Sequence, residues 1–226
     1  MPLTNTLQDR LAIFQEQVTL YPVSCERLAK GRSDYEWLDA VLAAGVRIVQ
    51  LRDKESTDRA LFEKAKVFRQ KTAKRGALLI VNNRLDIALA TNADGIHLGN
   101  DDLPAEEARR LAPSLIIGVS ANTSEQAASA ADRGASYYNI GPLFATTTKE
   151  GLSSFLGAEA IKNFSAVSAL PFTVMGGIKF GHIKELKALG AKRIAVVTAL
   201  TEADDIEAET RKWLSAIQET TQVDRL

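Results

Sequence analysis

The sequence alternates eight short apolar segments, rich in Val and Ile, with stretches of helical periodicity. Gly45, Gly134 and Gly190 each stand between a helical stretch and the next apolar segment, where a left-handed residue commonly ends a helix. Short, continuously apolar segments are typical of parallel strands that are buried on both faces. The eight segments are Thr19–Ser24, Arg47–Leu51, Leu78–Val81, Gly95–Leu98, Leu115–Val119, Tyr137–Ile140, Phe172–Met175 and Arg193–Val197.

Eight strand–helix units in 226 residues predict an α/β fold, a single (β/α)8 TIM barrel that takes up residues 1–226. An open, doubly wound sheet is the alternative topology. Residues 1–18 should supply an extra N-terminal helix, from about Thr6 to Val18, that covers the bottom of the barrel. Residues 215–226 are expected to form a mobile C-terminal tail. Among the other helices we predict Glu36–Ala44, Ala60–Lys74 and Ser124–Arg133.

The charge balance and cysteine content limit the partners and the compartment. Lys plus Arg and Asp plus Glu number 28 each, which argues against a nucleic-acid or acidic-membrane partner. Cys25 is the one cysteine, so no intrachain disulfide can form, as is typical of a reducing compartment. No apolar run has the length of a membrane span, and the first residues lack the pattern of a signal peptide. We therefore expect a cytoplasmic protein that acts on small molecules. Its oligomeric state is open, and a homo-oligomer is one option.

The chemistry of a (β/α)8 barrel lies at the carboxyl ends of its strands, so the residues after each strand are the candidates for a site. Gln50, Arg52 and Lys54 follow the second strand at spacings of two and point the same way in an extended segment. An amide and two cations suit a diphosphate. A solvated loop with helix-start charges is the alternative interpretation.

Asp101 and Asp102, after the fourth strand, are candidates to hold Mg²⁺, which typically takes one or two carboxylates together with substrate phosphates. Alternatively, one or both acids cap the helix that begins near Pro104. Gly176 and Gly177, after the seventh strand, can offer backbone N–H groups to a phosphate, although a tight turn alone would also explain them.

Three threonines and Lys149 lie in a polar segment that ends at Gly151, which suggests a loop that closes over a substrate. A solvated linker is the alternative. We interpret His97 as a hydrogen-bonded structural residue and assign no nucleophilic role to Cys25.

Seven motifs follow one another between about Leu20 and Leu200. They are QLRDK at Gln50–Lys54, VNNR at Val81–Arg84, DGIHLGNDDLP at Asp94–Pro104, GVS at Gly118–Ser120, GPLFATTTK at Gly141–Lys149, GGI at Gly176–Ile178 and AVVTAL at Ala195–Leu200. In this order they resemble the motifs of the thiamine phosphate synthase family. The resemblance implies transfer of a pyrimidine from its diphosphate, 4-amino-2-methyl-5-hydroxymethylpyrimidine diphosphate, to 4-methyl-5-(2-phosphoethyl)thiazole or its carboxylated form. The products would be thiamine phosphate and diphosphate.

The same resemblance implies roles for individual residues, with Mg²⁺ as the cofactor. Catalysis would depend on Arg52, Lys54 and Lys149, and the metal would be held by Asn83 and Asp102. The substrate-binding residues would be Gln50, Leu51, Arg52, Asp53, Lys54, Asn82, Ser120, Thr146, Thr147, Thr148, Lys149, Gly177, Val197 and Thr198.

Three asparagines depart from the family pattern. Asn83 stands where the family commonly has an Asp ligand for magnesium, Asn100 replaces a Gln, and Asn122 replaces a His. A related thiazole tautomerase branch is the nearest alternative. In that branch a His at the position of Asn122 looks like the proton-transfer group, and Asn cannot act as that base. A catalytically silent relative that binds thiazole or thiamine phosphate is a second alternative. An unrelated aldolase or epimerase barrel is a third, although no predicted strand contains the lysine that such an aldolase requires.

Overall fold

In a computed structural model, which describes residues 6–146 and 154–223, all eight predicted strands form one parallel sheet that curls into a barrel. From the second strand to the eighth, strands that are consecutive in the sequence pair with each other, and the first strand (Leu20–Pro22) pairs with the eighth (Ile194–Val196). A bridge between Val23 and Gln50 joins the remaining edges, and the Ser24 N–H donates to the Gln50 carbonyl at 2.9 Å. The open-sheet alternative is thus excluded. The strands are β1 (Leu20–Pro22), β2 (Ile48–Leu51), β3 (Leu78–Asn82), β4 (Gly95–Leu98), β5 (Ile116–Ala121), β6 (Tyr137–Ile140), β7 (Phe172–Val174) and β8 (Ile194–Val196).

Helices surround the barrel, and several of them begin after a Ser or Thr whose side chain caps the first turn. Ser33 forms a capping box before the helix Asp34–Ala43, since its hydroxyl accepts from the Glu36 N–H and the Glu36 carboxylate accepts from the Ser33 N–H. The helices are α1 (Leu7–Gln17), α2 (Asp34–Ala43), α3 (Asp58–Arg75), α4 (Leu85–Ala90), α5 (Ala105–Leu111), α6 (Ser124–Ser129), α7 (Ala160–Val167), α8 (Ile183–Ala188), α9 (Thr198–Thr201) and α10 (Ile206–Val223), with 3-10 turns at Glu26–Leu28 and Phe180–His182. No helix in the described parts of the chain is long and apolar enough to cross a membrane.

Strand residues alternate between two cores. Those that face outward pack with the helices, and those that face inward fill the barrel together with α1. Phe14 of α1 is fully buried and its ring centroid lies 4.6 Å from that of Tyr137. Arg193, just before β8, donates to the carbonyls of Phe14 and Gln15 at 2.8 and 2.6 Å. The helix α1 therefore closes the amino-terminal end of the barrel, as the sequence predicts.

In the C-terminal segment, residues 215–223 continue α10, which ends at Val223, and residues 224–226 lie outside the described residues. The mobility expected of residues 215–226 stays a prediction. Ile206, Trp213 and Ile217 recur on one face of α10 and are buried, so this face packs against the rest of the protein. The predicted helix Ser124–Arg133 is shorter in the structure, where α6 ends at Ser129.

Candidate active site

The carboxyl ends of the strands form one rim, called here the barrel mouth, and β2 delivers two predicted site residues to it. Gln50 points into the barrel, is 3% exposed, and donates from Nε2 to the Tyr21 hydroxyl at 3.0 Å. The Arg52 N–H donates to Ser24 Oγ at 3.0 Å, which fixes the backbone there. The Arg52 guanidinium has no hydrogen bond or ion pair with any residue that the structure describes. Lys54 follows on the exposed part of the loop.

Beside this segment, one buried lysine of α3 binds three carboxylates, a group called here the Lys64 cluster (Lys64, Glu26, Asp34 and Asp53). Lys64 Nζ lies 2.6 Å from Asp53, 2.7 Å from Glu26 and 2.9 Å from Asp34. Burial raises the pKa of Asp34 to about 6. Burial also opposes ionisation of Asp53, but hydrogen bonds from Lys64 and Ser56 hold the pKa of Asp53 well below its ordinary value. The cluster ties together the loops that follow β1 and β2.

Two members of the predicted substrate-binding set face away from the barrel mouth. Leu51 is 1% exposed and packs in the outer core, because it is one position from the inward-facing Gln50. The Asp53 carboxylate is taken up by Lys64 and by the turn at Ser56. The substrate contacts that the resemblance implies for these two residues stay a prediction.

Four hydrogen bonds run across the upper interior of the barrel and connect Gln50 to Ser120. Beyond the Gln50–Tyr21 bond, the Tyr21 and Tyr137 hydroxyls lie 3.1 Å apart. His97 Nδ1 is 3.0 Å from the Tyr137 hydroxyl, and His97 Nε2 is 3.2 Å from Ser120 Oγ. Burial lowers the pKa of His97 to about 4 and raises the pKa of Tyr21 and of Tyr137. His97 is thus neutral and hydrogen-bonded at both nitrogens, in keeping with its predicted structural role.

The two candidate metal ligands follow β3 and β4, which are neighbours in the sheet. Asn83 has a left-handed backbone (φ 65°), and its N–H donates to the His97 carbonyl at 2.9 Å. Asp102 Oδ2 accepts from the Gly99 N–H at 2.6 Å, so it closes a turn and does not cap α5. The other carboxylate oxygen of Asp102 and the Asn83 amide have no hydrogen-bond partner among the described residues. One carboxylate and one amide oxygen suit a Mg²⁺ ion that draws further ligands from a substrate.

No group of three or more His, Cys, Asp or Glu side chains that could hold a metal is found in residues 6–146 and 154–223. A Mg²⁺ ion held by one or two protein side chains completes its coordination with waters and with substrate phosphates. Diphosphate oxygens are ligands of the required kind.

Two of the departures from the family pattern contact each other. Asn100 Nδ2 donates to Asn122 Oδ1 at 2.6 Å, and Asn122 Nδ2 donates to the Gly141 carbonyl at 2.5 Å. Both ends of the Asn122 amide are therefore used to join the loops after β4, β5 and β6. An amide held in this way has no basic atom to offer a substrate.

The ends of β7 and β8 form a second part of the barrel mouth. Gly176 and Gly177 have positive φ values of 104° and 61°, and a Cβ on Gly177 would lie 2.2 Å from the Ala145 carbonyl oxygen. The N–H groups of Gly177 and Ile178 donate to no residue that the structure describes. After β8, Val197 leads into the short helix α9, which begins at Thr198. Unused N–H groups next to a short helix after β8 are typical of phosphate sites in such barrels.

The segment after β6 is anchored at both ends. The Leu143 and Phe144 N–H groups donate to the Met175 and Gly176 carbonyls, each at 2.9 Å. On the return, the Leu156 N–H donates to the Pro142 carbonyl at 2.9 Å. Thr146 lies next to this anchored part, whereas Thr147, Thr148 and Lys149 lie outside the described residues.

Sequence reasoning missed several residues that line the interior near Ser120. Tyr21 and Tyr137 stand in apolar segments, where the sequence carries no sign of a functional role. Asn139 is the register partner of Ser120 and accepts from Thr173 Oγ1 at 2.8 Å. A polar residue at an inward position of an apolar strand was the signal that could have identified Asn139.

Comparisons with known proteins agree on one family. A family model described as thiamine monophosphate synthase matches residues 20–200. The chain is 38% identical to the thiamine-phosphate synthase of Chloroflexus aurantiacus over 201 residues, which are 89% of this chain and 93% of that protein. It is 40% identical to the thiamine-phosphate synthase of Moorella thermoacetica over 197 residues, which are 87% of this chain and 94% of that protein.

Solved structures give the same result. The thiamine phosphate pyrophosphorylase from Pyrococcus furiosus superposes with a TM-score of 0.84 at 31% identity, covering 92% of this chain and 98% of that one. A 3-hexulose-6-phosphate synthase superposes with a TM-score of 0.66 at 16% identity, covering 88% and 99%, which shows a shared fold alone.

Proposed function

Because the chain belongs to the thiamine monophosphate synthase family, we propose that it condenses 4-amino-2-methyl-5-hydroxymethylpyrimidine diphosphate with 4-methyl-5-(2-phosphoethyl)thiazole, or its carboxylated form. The products are thiamine phosphate and diphosphate. One observation carries this proposal: the Arg52 guanidinium at the barrel mouth has no carboxylate partner among the described residues, since the adjacent Asp53 is bound by Lys64. A guanidinium without a carboxylate partner is suited to bind an anionic substrate.

The pyrimidine diphosphate would bind above β2 to β5. Gln50, Asn82 and Ser120 would contact it from the barrel interior, and Arg52 and Lys54 would hold the diphosphate, joined by Lys149 from the loop after β6. Asn83 and Asp102 would hold Mg²⁺ between them, and such an ion would neutralise charge on the leaving diphosphate.

The thiazole phosphate would bind on the opposite side of the barrel mouth. Its phosphate is suited to the unused N–H groups of Gly177 and Ile178 and to the start of α9, with Val197 and Thr198 beside it. Thr146, Thr147 and Thr148 would complete this side from the loop. The two substrates thus approach each other over the centre of the barrel, where orientation accelerates a bimolecular reaction.

The reaction is an alkyl transfer. The bond between the pyrimidine methylene carbon and the diphosphate oxygen breaks, the electron pair leaves with diphosphate, and the thiazole nitrogen forms the new bond to that carbon. The amino-pyrimidine stabilises positive charge at the methylene, so no side-chain nucleophile or general base is required. The protein contributes cations that stabilise the leaving group, and removal of one such donor costs roughly 10²–10³ in rate.

The structure disfavours the two catalytic alternatives. A tautomerase would need a base at position 122, but the Asn122 amide is hydrogen-bonded at both ends within the protein. An aldolase that forms a Schiff base would need an inward-facing lysine, and none of the eight described strands contains a lysine. A silent binding relative differs in activity rather than in fold, so it is left to experiment.

We also propose the setting in which the enzyme acts. Balanced charge supports action on small molecules without a nucleic-acid or membrane partner. A single cysteine, which is buried, suits the reducing cytoplasm. A homo-oligomer would be identified by the molar mass of the purified protein, measured by light scattering.

The deciding experiment measures thiamine phosphate formed from the two purified substrates, with and without Mg²⁺. We expect metal-dependent product, and we expect Arg52→Gln to lower turnover by roughly 10² without a change in melting temperature. Arg133→Gln is the matched control, because Arg133 pairs with Glu106 on the outer surface. If neither metal condition yields product while calorimetry shows that both substrates bind, the protein is a silent binding relative and Asn83→Asp is the first reversion to make.

A further inference from the structure

Inside the barrel, hydrogen bonds connect a row of five side chains: Gln50, Tyr21, Tyr137, His97 and Ser120. The chemistry of these side chains determines which atom is the donor in each bond. Gln50 donates to the Tyr21 oxygen, so the single hydroxyl proton of Tyr21 points to its other partner, the Tyr137 oxygen, 3.1 Å away. Tyr137 then directs its own proton to His97 Nδ1 at 3.0 Å. A neutral imidazole that accepts at Nδ1 carries its proton on Nε2, which donates to Ser120 Oγ at 3.2 Å. The hydroxyl proton of Ser120 is thereby left for a group outside the row.

The position of Tyr137 is built into the packing of the barrel. Gly118 is its register partner on β5, and a Cβ on Gly118 would lie 2.1 Å from Tyr137 Cζ and 2.3 Å from its hydroxyl oxygen. Phe14 of α1 also packs against the ring of Tyr137, with the two ring centroids 4.6 Å apart. The ring occupies space that only a glycine at position 118 leaves open. The packing of the barrel therefore places the Tyr137 hydroxyl next to His97.

We propose that Tyr21 and Tyr137 are positioning residues, which hold His97 as the Nε2–H tautomer and so present the Ser120 hydroxyl as a hydrogen-bond donor to the pyrimidine diphosphate. This inference rests on the proposed function, in which Ser120 contacts that substrate. It extends the site from the barrel mouth to a row of residues from β1, β4 and β6 that do not themselves touch the substrate.

The tautomer of His97 is directly measurable, since the chain contains only two histidines, His97 and His182. Nitrogen-15 NMR of histidine-labelled protein, assigned with His182→Asn, should show His97 as the Nε2–H tautomer at neutral pH. In Tyr137→Phe the donor to Nδ1 is gone, so we expect the Nδ1–H form to appear. We also expect kcat/KM for the pyrimidine diphosphate to fall about five- to tenfold, the effect of one hydrogen bond.

Tyr138→Phe is the matched control. Tyr138 is the next residue of β6, faces the outer core, and donates its hydroxyl proton to the Phe164 carbonyl at 3.2 Å. The same substitution there removes one hydrogen bond but should leave both the tautomer and kcat/KM unchanged. An Nδ1–H tautomer in the wild type would overturn the proposal, as would a Tyr137→Phe protein that matches Tyr138→Phe in tautomer and in kcat/KM.

A second pair of variants tests the same donor if Tyr137→Phe does not fold. His97→Gln places an amide N–H near the position of Nε2, whereas the shorter side chain of His97→Asn does not reach it. We expect His97→Gln to retain about five- to tenfold more kcat/KM than His97→Asn, and equal losses would contradict the proposal. Should the wild type form no product, the tautomer spectra and calorimetric Kd values for the pyrimidine diphosphate still test the row separately from the reaction.

Discussion

Replacement of Lys64 by methionine should destabilise the protein by about 3–5 kcal/mol, the cost of leaving a buried ion pair without one partner. The side chains of Asp34 and Asp53 are 1% and 7% exposed, so both carboxylates would stay in a poorly hydrated place without their cation. Glu26 is 49% exposed and is screened by water, so its lost pairing adds little. Methionine keeps the length of the apolar stem, which limits any change to the loss of the charge.

The assay is urea unfolding followed by far-ultraviolet circular dichroism near pH 8. Lys66→Met is the matched control, because Lys66 lies on the same helix and pairs with Glu63 at the surface, where we expect a loss within about 0.5 kcal/mol. Because burial raises the pKa of Asp34 to about 6, that carboxyl can take up a proton as the pH falls, and the loss in Lys64→Met should shrink between about pH 8 and pH 5. A loss near pH 8 no larger than that of Lys66→Met would refute this account of the cluster.

Three further predictions concern the metal, the packing and the pH. Asn83→Asp should lower the Mg²⁺ concentration needed for half-maximal rate, as measured by a metal titration of turnover, and an unchanged titration would mean that position 83 is not a ligand. Gly118→Ala should destabilise the protein to urea by at least about 1–3 kcal/mol, since the added methyl would overlap the Tyr137 ring; a loss below about 0.5 kcal/mol would show that the ring moves freely. The pKa of His97 is about 4 in the folded protein, below its ordinary 6.5, so its contribution to stability is complete above pH 6.5 and is lost as the pH falls toward 4. Unfolding free energies should therefore decline by roughly 1 kcal/mol per pH unit in that window relative to His97→Gln, and parallel profiles for the two proteins would contradict the assignment.

The barrel could be predicted because its signal is repeated eight times. Gly95–Leu98 and Tyr137–Ile140 were predicted with the bounds that the structure has, and the other six strands differ by one or two residues at one or both ends. Buried parallel strands must be apolar on both faces, and this requirement is visible in the sequence without knowledge of the partners. The last helix, α10, was not predicted because its buried positions Ile206, Trp213 and Ile217 are separated by polar residues, although their spacing is that of a helix.

The positions of site residues could be predicted only where the alternation of side chains along a strand determines which way each one points. Gln50 and Arg52 lie toward the barrel mouth, as a spacing of two requires. Asp53 is one of the substrate-binding residues that the resemblance implies, and the structure shows in addition that its carboxylate binds Lys64, which lies 11 residues away on α3. Asp34 contacts the same lysine from 30 residues away. Which of several carboxylates approaches a given lysine is a property of the folded loops, and no local pattern expresses it.

The tyrosines of the barrel interior show a similar limit with one exception. Tyr21 and Tyr137 are 116 residues apart and stand in segments that any apolar pattern explains, so their hydroxyl contact is created by the closure of the barrel. Gly118, however, interrupts an apolar strand where a β-branched residue would be favoured. A glycine inside a strand indicates that another group approaches closely, and here the register places Tyr137 directly beside it. Once a barrel and its register are assumed, that glycine predicts an inward-facing aromatic ring, and a tyrosine in that place predicts a polar partner within the barrel.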